Sequence, residues 1–117
     1  MEWTKPLAVI ATAAGIWMHG AVAANAQYPT QAVRIIVPFG AGGVVDTIAR
    51  QFGNHLASTL GQPFIVENLP GANGVIGTEA VAKAAPDGHT LLMTGGGFLN
   101  TPMLVSTPFD VLPDFNP

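Results

Sequence analysis

An apolar run ends at Val37 and a helical pattern begins at Val45. Between them lie Pro38, Phe39, Gly40, Ala41, Gly42 and Gly43, with Asp46 close behind. Few side chains here could act on a substrate, so the chemistry on offer belongs to the backbone. Amides freed by glycine, together with the positive end of the following helix, can receive a carboxylate or phosphate without any basic side chain. Asp46 stands in the first helical turn, where an acid caps the helix and complements its dipole. Beside a bound carboxylate it would order the loop or hold water, because direct contact would be repulsive.

Three ligand readings of such a bend compete. A dinucleotide fingerprint needs G-x-G-x-x-G; Gly40 and Gly42 supply the first pair, but Val45 occupies the third place, although Glu67 stands where a ribose-binding acid would. A P-loop needs Gly-Lys-Ser/Thr, and no lysine lies in this loop. A general anion cradle agrees with every residue present. Glycines at a strand-to-helix bend also permit a tight turn and close packing, and spacing alone leaves that reading level with ligand binding.

Other chemistry finds little support. His55 and His89 have no second ligand at metal spacing, so no metal site is expected, and solvated or core-edge roles suit both. Ser58 and Ser106 sit in no G-x-S-x-G context. Met93, Met103 and Phe52 are expected in the core rather than in a cofactor box. Neither a catalytic residue nor a cofactor is expected.

The elements that must position the bend read as alternating strand and helix. Val33 to Val37 is β-branched and apolar, as a strand covered on both faces would be. Val45, Ile48, Ala49, Phe52, Leu56 and Leu60 recur at three- and four-residue steps and predict an amphipathic helix stopped by Gly61. Phe64 to Val66 predicts a second strand and Val75 to Ala85 a second helix, ended by Pro86 before an Asp87-Gly88 turn. Thr90 to Thr94 predicts a third strand, leading to Gly95, Gly96 and Gly97. The fold class expected is α/β with a parallel sheet and right-handed crossovers. Pro102, Pro108 and Pro113 break the tail, leaving room for one helical turn near Met103. After three strands the pattern stops, so the sequence reads as the beginning of something longer.

Residues 1–26 have the three-part layout of a secretory signal peptide: Lys5, an apolar run from Leu7 to Val22, and the small residues Ala24, Asn25 and Ala26. The run is interrupted by Gly15, His19 and Gly20 and is too short for a membrane span. Residues 27–117 form the expected mature part, about 90 residues, room for one modest core. With no cysteine in the chain, neither disulfides nor a lipid-modified cysteine is available, and the expected location is the bacterial periplasm. Beyond residue 26, Arg34, Arg50 and Lys83 face Asp46, Glu67, Glu79, Asp87, Asp110 and Asp114. That balance lacks the basic stripe that nucleic acid or an anionic membrane requires.

"VPFGAGGVVDTIAR", "VENLPGANGVIGTEAVAKAAPDGHTLL" and the closing "FDVLPDFNP" resemble the amino-terminal third of the Bug family, the extracytoplasmic solute receptors of tripartite tricarboxylate transporters. Pro38-Phe39, Ala41-Gly42-Gly43 with Asp46, Ala49-Arg50, Pro70-Gly71-Ala72, Gly77 with Glu79, and Pro86-Asp87-Gly88 match in order and spacing, and the similarity covers nearly the whole chain after Gln27. The resemblance implies the first part of a two-domain, type II periplasmic binding protein, a monomer when full length, that closes around a small organic carboxylate and hands it to membrane permease subunits without changing it. It implies ligand contacts from Phe39, Gly40, Ala41, Gly42, Gly43 and Asp46 through backbone amides and ordered water, and from Thr94, Gly95, Gly96 and Phe98 on the other side. In a sheet of order 2-1-3 the loops after the first and third strands flank a crevice at the strands' carboxyl ends, which agrees.

The chain departs from the family's pattern in places. Leu69 stands for a usual Arg, Asn73 for a second Gly, His89 for a customary Tyr, and Thr101-Pro102 for a frequent Asn-Pro. Asn73 is expected to cap the second helix instead. The chain ends before the family's second domain, so alone it is expected to bind poorly, one wall being unable to bury most of a ligand's surface. A secreted α/β enzyme or nucleotide-binding domain using the same loop for phosphate is the alternative.

Overall fold

The structure, a computed structural model, describes residues 27–115; the expected signal peptide lies outside the described residues. Strand β1 (Val33–Val37) is followed by helix α1 (Val44–Leu60), β2 (Phe64–Asn68), α2 (Val75–Ala82), β3 (Thr90–Leu92) and a single helical turn, α3 (Thr101–Leu104). The strands form one parallel sheet of order β2-β1-β3, the order expected for two right-handed crossovers that place their helices on opposite faces. Among the described residues no helix is long and apolar enough to cross a membrane.

β1 is central, so its side chains are covered on both sides. Val33, Ile35, Ile36 and Val37 are all buried, and only Arg34 reaches solvent. Ile35 and Val37 pack with Ala49 of α1, and Val45, Phe64, Val66 and Met93 close around them. Sheet pairing sets Ile36 beside Glu67 and Leu92, on the opposite face, where α2 lies.

α1 differs from its expected orientation. Ile48 and Phe52, expected to face the core, are about half exposed, and the inward row is Val45, Ala49 and Gly53 with half-buried Leu56 and Leu60. Gly53 explains the rotation: a Cβ there would stand 3.4 Å from the Phe64 carbonyl oxygen and 3.6 Å from Ile35 Cδ1. The helix therefore settles on its smallest residues, and the bulky ones move to its flank. Gly61 ends the helix as expected, left-handed at φ 73° and donating to the Ala57 carbonyl oxygen at 3.0 Å.

α2 stops at Ala82, three residues earlier than expected. The Lys83 and Ala84 amides donate to the Glu79 and Val81 carbonyls in a tightening last turn, and Pro86 disfavours helix in the residue before it. β2 runs two residues beyond its expected end because Glu67 and Asn68 pair with Ile36 and Val37. β3 is shorter than expected, although the Met93 amide still donates to the Ile36 carbonyl oxygen at 2.9 Å. Asn73 does not cap α2. It lies at φ 54° in a 3-10 turn, and Gly74, left-handed at φ 89°, takes the N-cap place with no side-chain hydrogen bond. Met103, expected in the core, is 83 % exposed on α3, a helix too short to turn one face inward. The tail is held instead by Phe109, buried between Phe98 and Phe115.

Candidate functional site

Because the sheet is parallel, β1, β2 and β3 all deliver their loops to one edge. The bend after β1, Phe39 to Gly43, is exposed. Gly42 takes φ +86°, and added Cβ atoms at Gly40 or Gly42 would meet nothing within 4 Å. These glycines therefore set backbone direction and leave the loop surface open; close packing is not their reason. Gly43 forms the N-cap of α1 with no side-chain hydrogen bond, so the first-turn amides of a 17-residue helix face outward uncapped.

Asp46 is turned away from that opening. Its side chain is buried, and one oxygen, Oδ2, accepts from the Gly42 amide at 2.8 Å and from Arg50 Nε at 3.1 Å. The other, Oδ1, accepts from Asn68 Nδ2 at 3.0 Å and lies 3.0 Å from Arg50 Nη2. The Arg50 hydrogen bond, then those from Gly42 and Asn68, hold the carboxyl down at about 2 against the opposing effect of burial. Asp46 thus ties the bend to α1 at Gly42, with its charge matched by Arg50.

The bend after β3 carries Thr94, Gly95 and Gly96, with Gly95 extended and a 3-10 turn from Gly96 to Leu99. Cβ atoms added at Gly95, Gly96 or Gly97 would also find open space. The Phe98 amide donates to the Gly95 carbonyl oxygen at 3.1 Å, while its ring packs 6.4 Å from Phe109 and 5.3 Å from Phe115. Phe98 therefore anchors the second bend to the tail. The loop after β2 buttresses the first bend: a Cβ at Gly74 would stand 3.5 Å from Pro38 Cβ and 3.7 Å from the Phe39 ring.

The expected residues thus fall into two bends leaving adjacent strands at one edge. Two participants escaped the sequence reading as site residues. Asn68 was hidden because a polar residue ending a strand looks like a loop residue, and Arg50 because it sits among the polar positions of an amphipathic helix. Glu67, the candidate ribose-binding acid, is instead engaged by Arg34 through hydrogen bonds of 2.8 and 2.7 Å. Lys83 pairs with Glu79, so Arg34, Arg50 and Lys83 all have acidic partners. An open hollow of about 890 Å³ lies among α2, β3 and residues 111–115, and touches the second bend at Thr94, Phe98 and Leu99.

Open parallel α/β sheets bind ligands at the carboxyl ends of their strands, where both glycine bends of this chain lie, and comparison with known proteins gives the fold a family. The sequence model described as "Tripartite tricarboxylate transporter family receptor" matches residues 48–117. The chain belongs to that family. Protein BugT of Bordetella pertussis is 41 % identical over 120 aligned positions, covering 100 % of this chain and 37 % of its own length. The solved periplasmic binding protein BugD is 48 % identical, with a TM-score of 0.53 over 56 % of this chain and 22 % of that one. MatC from Rhodopseudomonas palustris, solved with bound malate, is 49 % identical, with a TM-score of 0.53 over the same shares. The chain spans roughly a third of the length of the curated relative. Its relatives are solute-binding receptors rather than enzymes.

Proposed function

We propose that residues 27–117 form one wall of a periplasmic receptor for a small organic carboxylate, the amino-terminal part of its first domain. The carboxylate is held by backbone amides of Phe39, Gly40, Ala41 and Gly43 at the start of α1, while Gly42 turns the loop and gives its own amide to Asp46, which keeps that bend in shape. Thr94, Gly95, Gly96 and the Phe98 backbone line the opposite side. The ligand leaves unchanged for the membrane permease subunits, and the expected leader, residues 1–26, directs the chain to the periplasm.

The observation that carries this reading is the uncapped start of α1 beside an aspartate whose charge is already matched. Asp46 takes only the Gly42 amide of the bend, and the remaining amide dipoles there are left to face a guest. The malate bound to MatC supports the choice of a carboxylate over a phosphate.

Ligand-dependent stability tests it. A ligand that binds only the folded state stabilises by mass action, about 2.7 kcal/mol at a hundredfold excess over Kd. Malate and other dicarboxylates, supplied at concentrations high enough to offset the weak binding expected of one wall, are expected to raise the unfolding midpoint, and adenine nucleotides to leave it in place. A midpoint that responds to nucleotides and ignores carboxylates would overturn the reading in favour of a phosphate-using enzyme.

A further inference from the structure

Asn68 holds the first bend at two points. Its Nδ2 donates to the Phe39 carbonyl oxygen at 3.1 Å and to Asp46 Oδ1 at 3.0 Å, while its Oδ1 accepts from Arg50 Nη2 at 3.0 Å. Both amide hydrogens and the carbonyl oxygen are therefore committed, each to a partner of the right polarity. The amide orientation is fixed by that arrangement, since two acceptors face the nitrogen and a cation faces the oxygen.

No near-isostere does the same. Aspartate would offer no donor and would set a second negative charge against Asp46. Leucine, which shares the branch at Cγ but carries no polar group, would leave the Phe39 carbonyl and one Asp46 oxygen without this partner. Glutamine has the groups, but its extra methylene displaces them from a strand end fixed by pairing with Val37.

We infer that Asn68 is a positioning residue for the anion cradle, acting through Phe39 and Asp46 to hold the Phe39–Gly43 bend in the shape that presents its amides. The lock joins three elements: β2 supplies Asn68, α1 supplies Asp46 and Arg50, and the bend supplies Phe39 and Gly42. Gly42 at φ +86° lies between the two pinned points, so releasing Asn68 frees the part of the loop with the widest conformational choice. This inference rests on the carboxylate reading only for its consequence in binding; its consequence for loop order stands apart.

The test compares Asn68→Ala and Asn68→Asp with Arg34→Ala, which removes an ion pair on the opposite face of the same sheet. Amide hydrogen exchange is followed by NMR on the full chain, and binding is titrated with malate. In both Asn68 variants the Gly42 amide is expected to exchange at least tenfold faster, and malate to bind about tenfold more weakly. In Arg34→Ala both are expected to stay within twofold of the parent. Unchanged Gly42 exchange in folded Asn68 variants overturns the inference, as does an equal loss in Arg34→Ala. If the parent shows no malate binding even at concentrations that offset the weak binding expected of one wall, the carboxylate reading fails while Gly42 exchange still decides the role of Asn68.

Discussion

Gly77 of α2 lies so close to Pro38 at the end of β1 that a Cβ at position 77 would stand 2.9 Å from the proline Cα and 2.7 Å from the Leu69 carbonyl oxygen. Both obstacles are backbone, so neither can swing away. This contact sets how near α2 approaches the strand end from which the first bend departs.

Gly77→Ala is therefore expected to destabilise the chain by about 1–3 kcal/mol, the range for overpacking a close contact. Gly53→Ala in α1 provides the contrast. Its Cβ would meet the Phe64 carbonyl oxygen at 3.4 Å, and removing glycine from a helix interior returns roughly 0.5–1 kcal/mol, so the net change should stay within about 0.5 kcal/mol. Urea unfolding at constant m-value separates the two. Equal midpoints for both variants would contradict the packing described.

Asp46 makes stability depend on pH in a defined direction. Its carboxyl titrates at about 2 in the folded chain, below the value of about 3.9 for an unfolded aspartate. The unfolded state thus binds the proton first as pH falls, and the contribution of Asp46, fully present above about pH 4, fades as pH drops toward 2. Glu67 and Asp87 are also held below their ordinary values, Glu67 by the Arg34 hydrogen bond and Asp87 by the His89 amide, and they add to the same acid limb. Asp46→Asn should flatten that limb and lower stability at neutral pH. Curves for parent and variant that run parallel from pH 5 to pH 2 would show that Asp46 is not held as described.

The parallel order, the extent of β1 and the stop of α1 at Gly61 were legible in the sequence, because β-branched runs, helical spacing and a terminal glycine are local signals. The rotation of α1 was not. Hydropathy marks Ile48 and Phe52 as inward, whereas contact with the sheet is decided by the small residues Ala49 and Gly53, which carry little hydropathic weight. The glycine bend was legible for the same reason that its support was hidden. Glycine declares itself in sequence, while Asn68, more than twenty positions from Asp46, joins the site only when β2 aligns beside β1.

Arg34 and Glu67 make a forked pair across β1 and β2, but their side chains are 49 % and 36 % exposed. Water screens such a pair, and a double-mutant cycle should return no more than about 1 kcal/mol. The coupling should shrink as salt is raised from about 0.01 to 1 M, where the Debye length falls from roughly 30 to 3 Å. A coupling that is large and independent of salt would place the pair in a drier setting than the sheet face described.

Phe109 decides whether the tail stays on the sheet. It is 7 % exposed, lies 6.4 Å from Phe98 and 6.0 Å from Phe115, and belongs to a segment in which Leu104, Val105 and Leu112 are exposed. Removing a buried phenylalanine ring costs about 3–5 kcal/mol where the whole fold depends on it. A segment with so few buried contacts can instead open by itself, limiting the loss felt by the rest. Phe109→Ala is therefore expected to speed proteolysis within residues 105–115 at least tenfold, by analogy with other low-stability segments. The urea midpoint reported by β1 and α1 should move by less than about 1 kcal/mol. Loss of the aromatic group also frees Phe98, so exchange of the Phe98 and Asn100 amides, which donate to the Gly95 and Gly97 carbonyls, should rise along with cleavage of the tail. Cleavage at the parent's rate would show that the tail is held by something other than the three rings; a core midpoint that collapses with it would show that the sheet depends on the tail for its own stability.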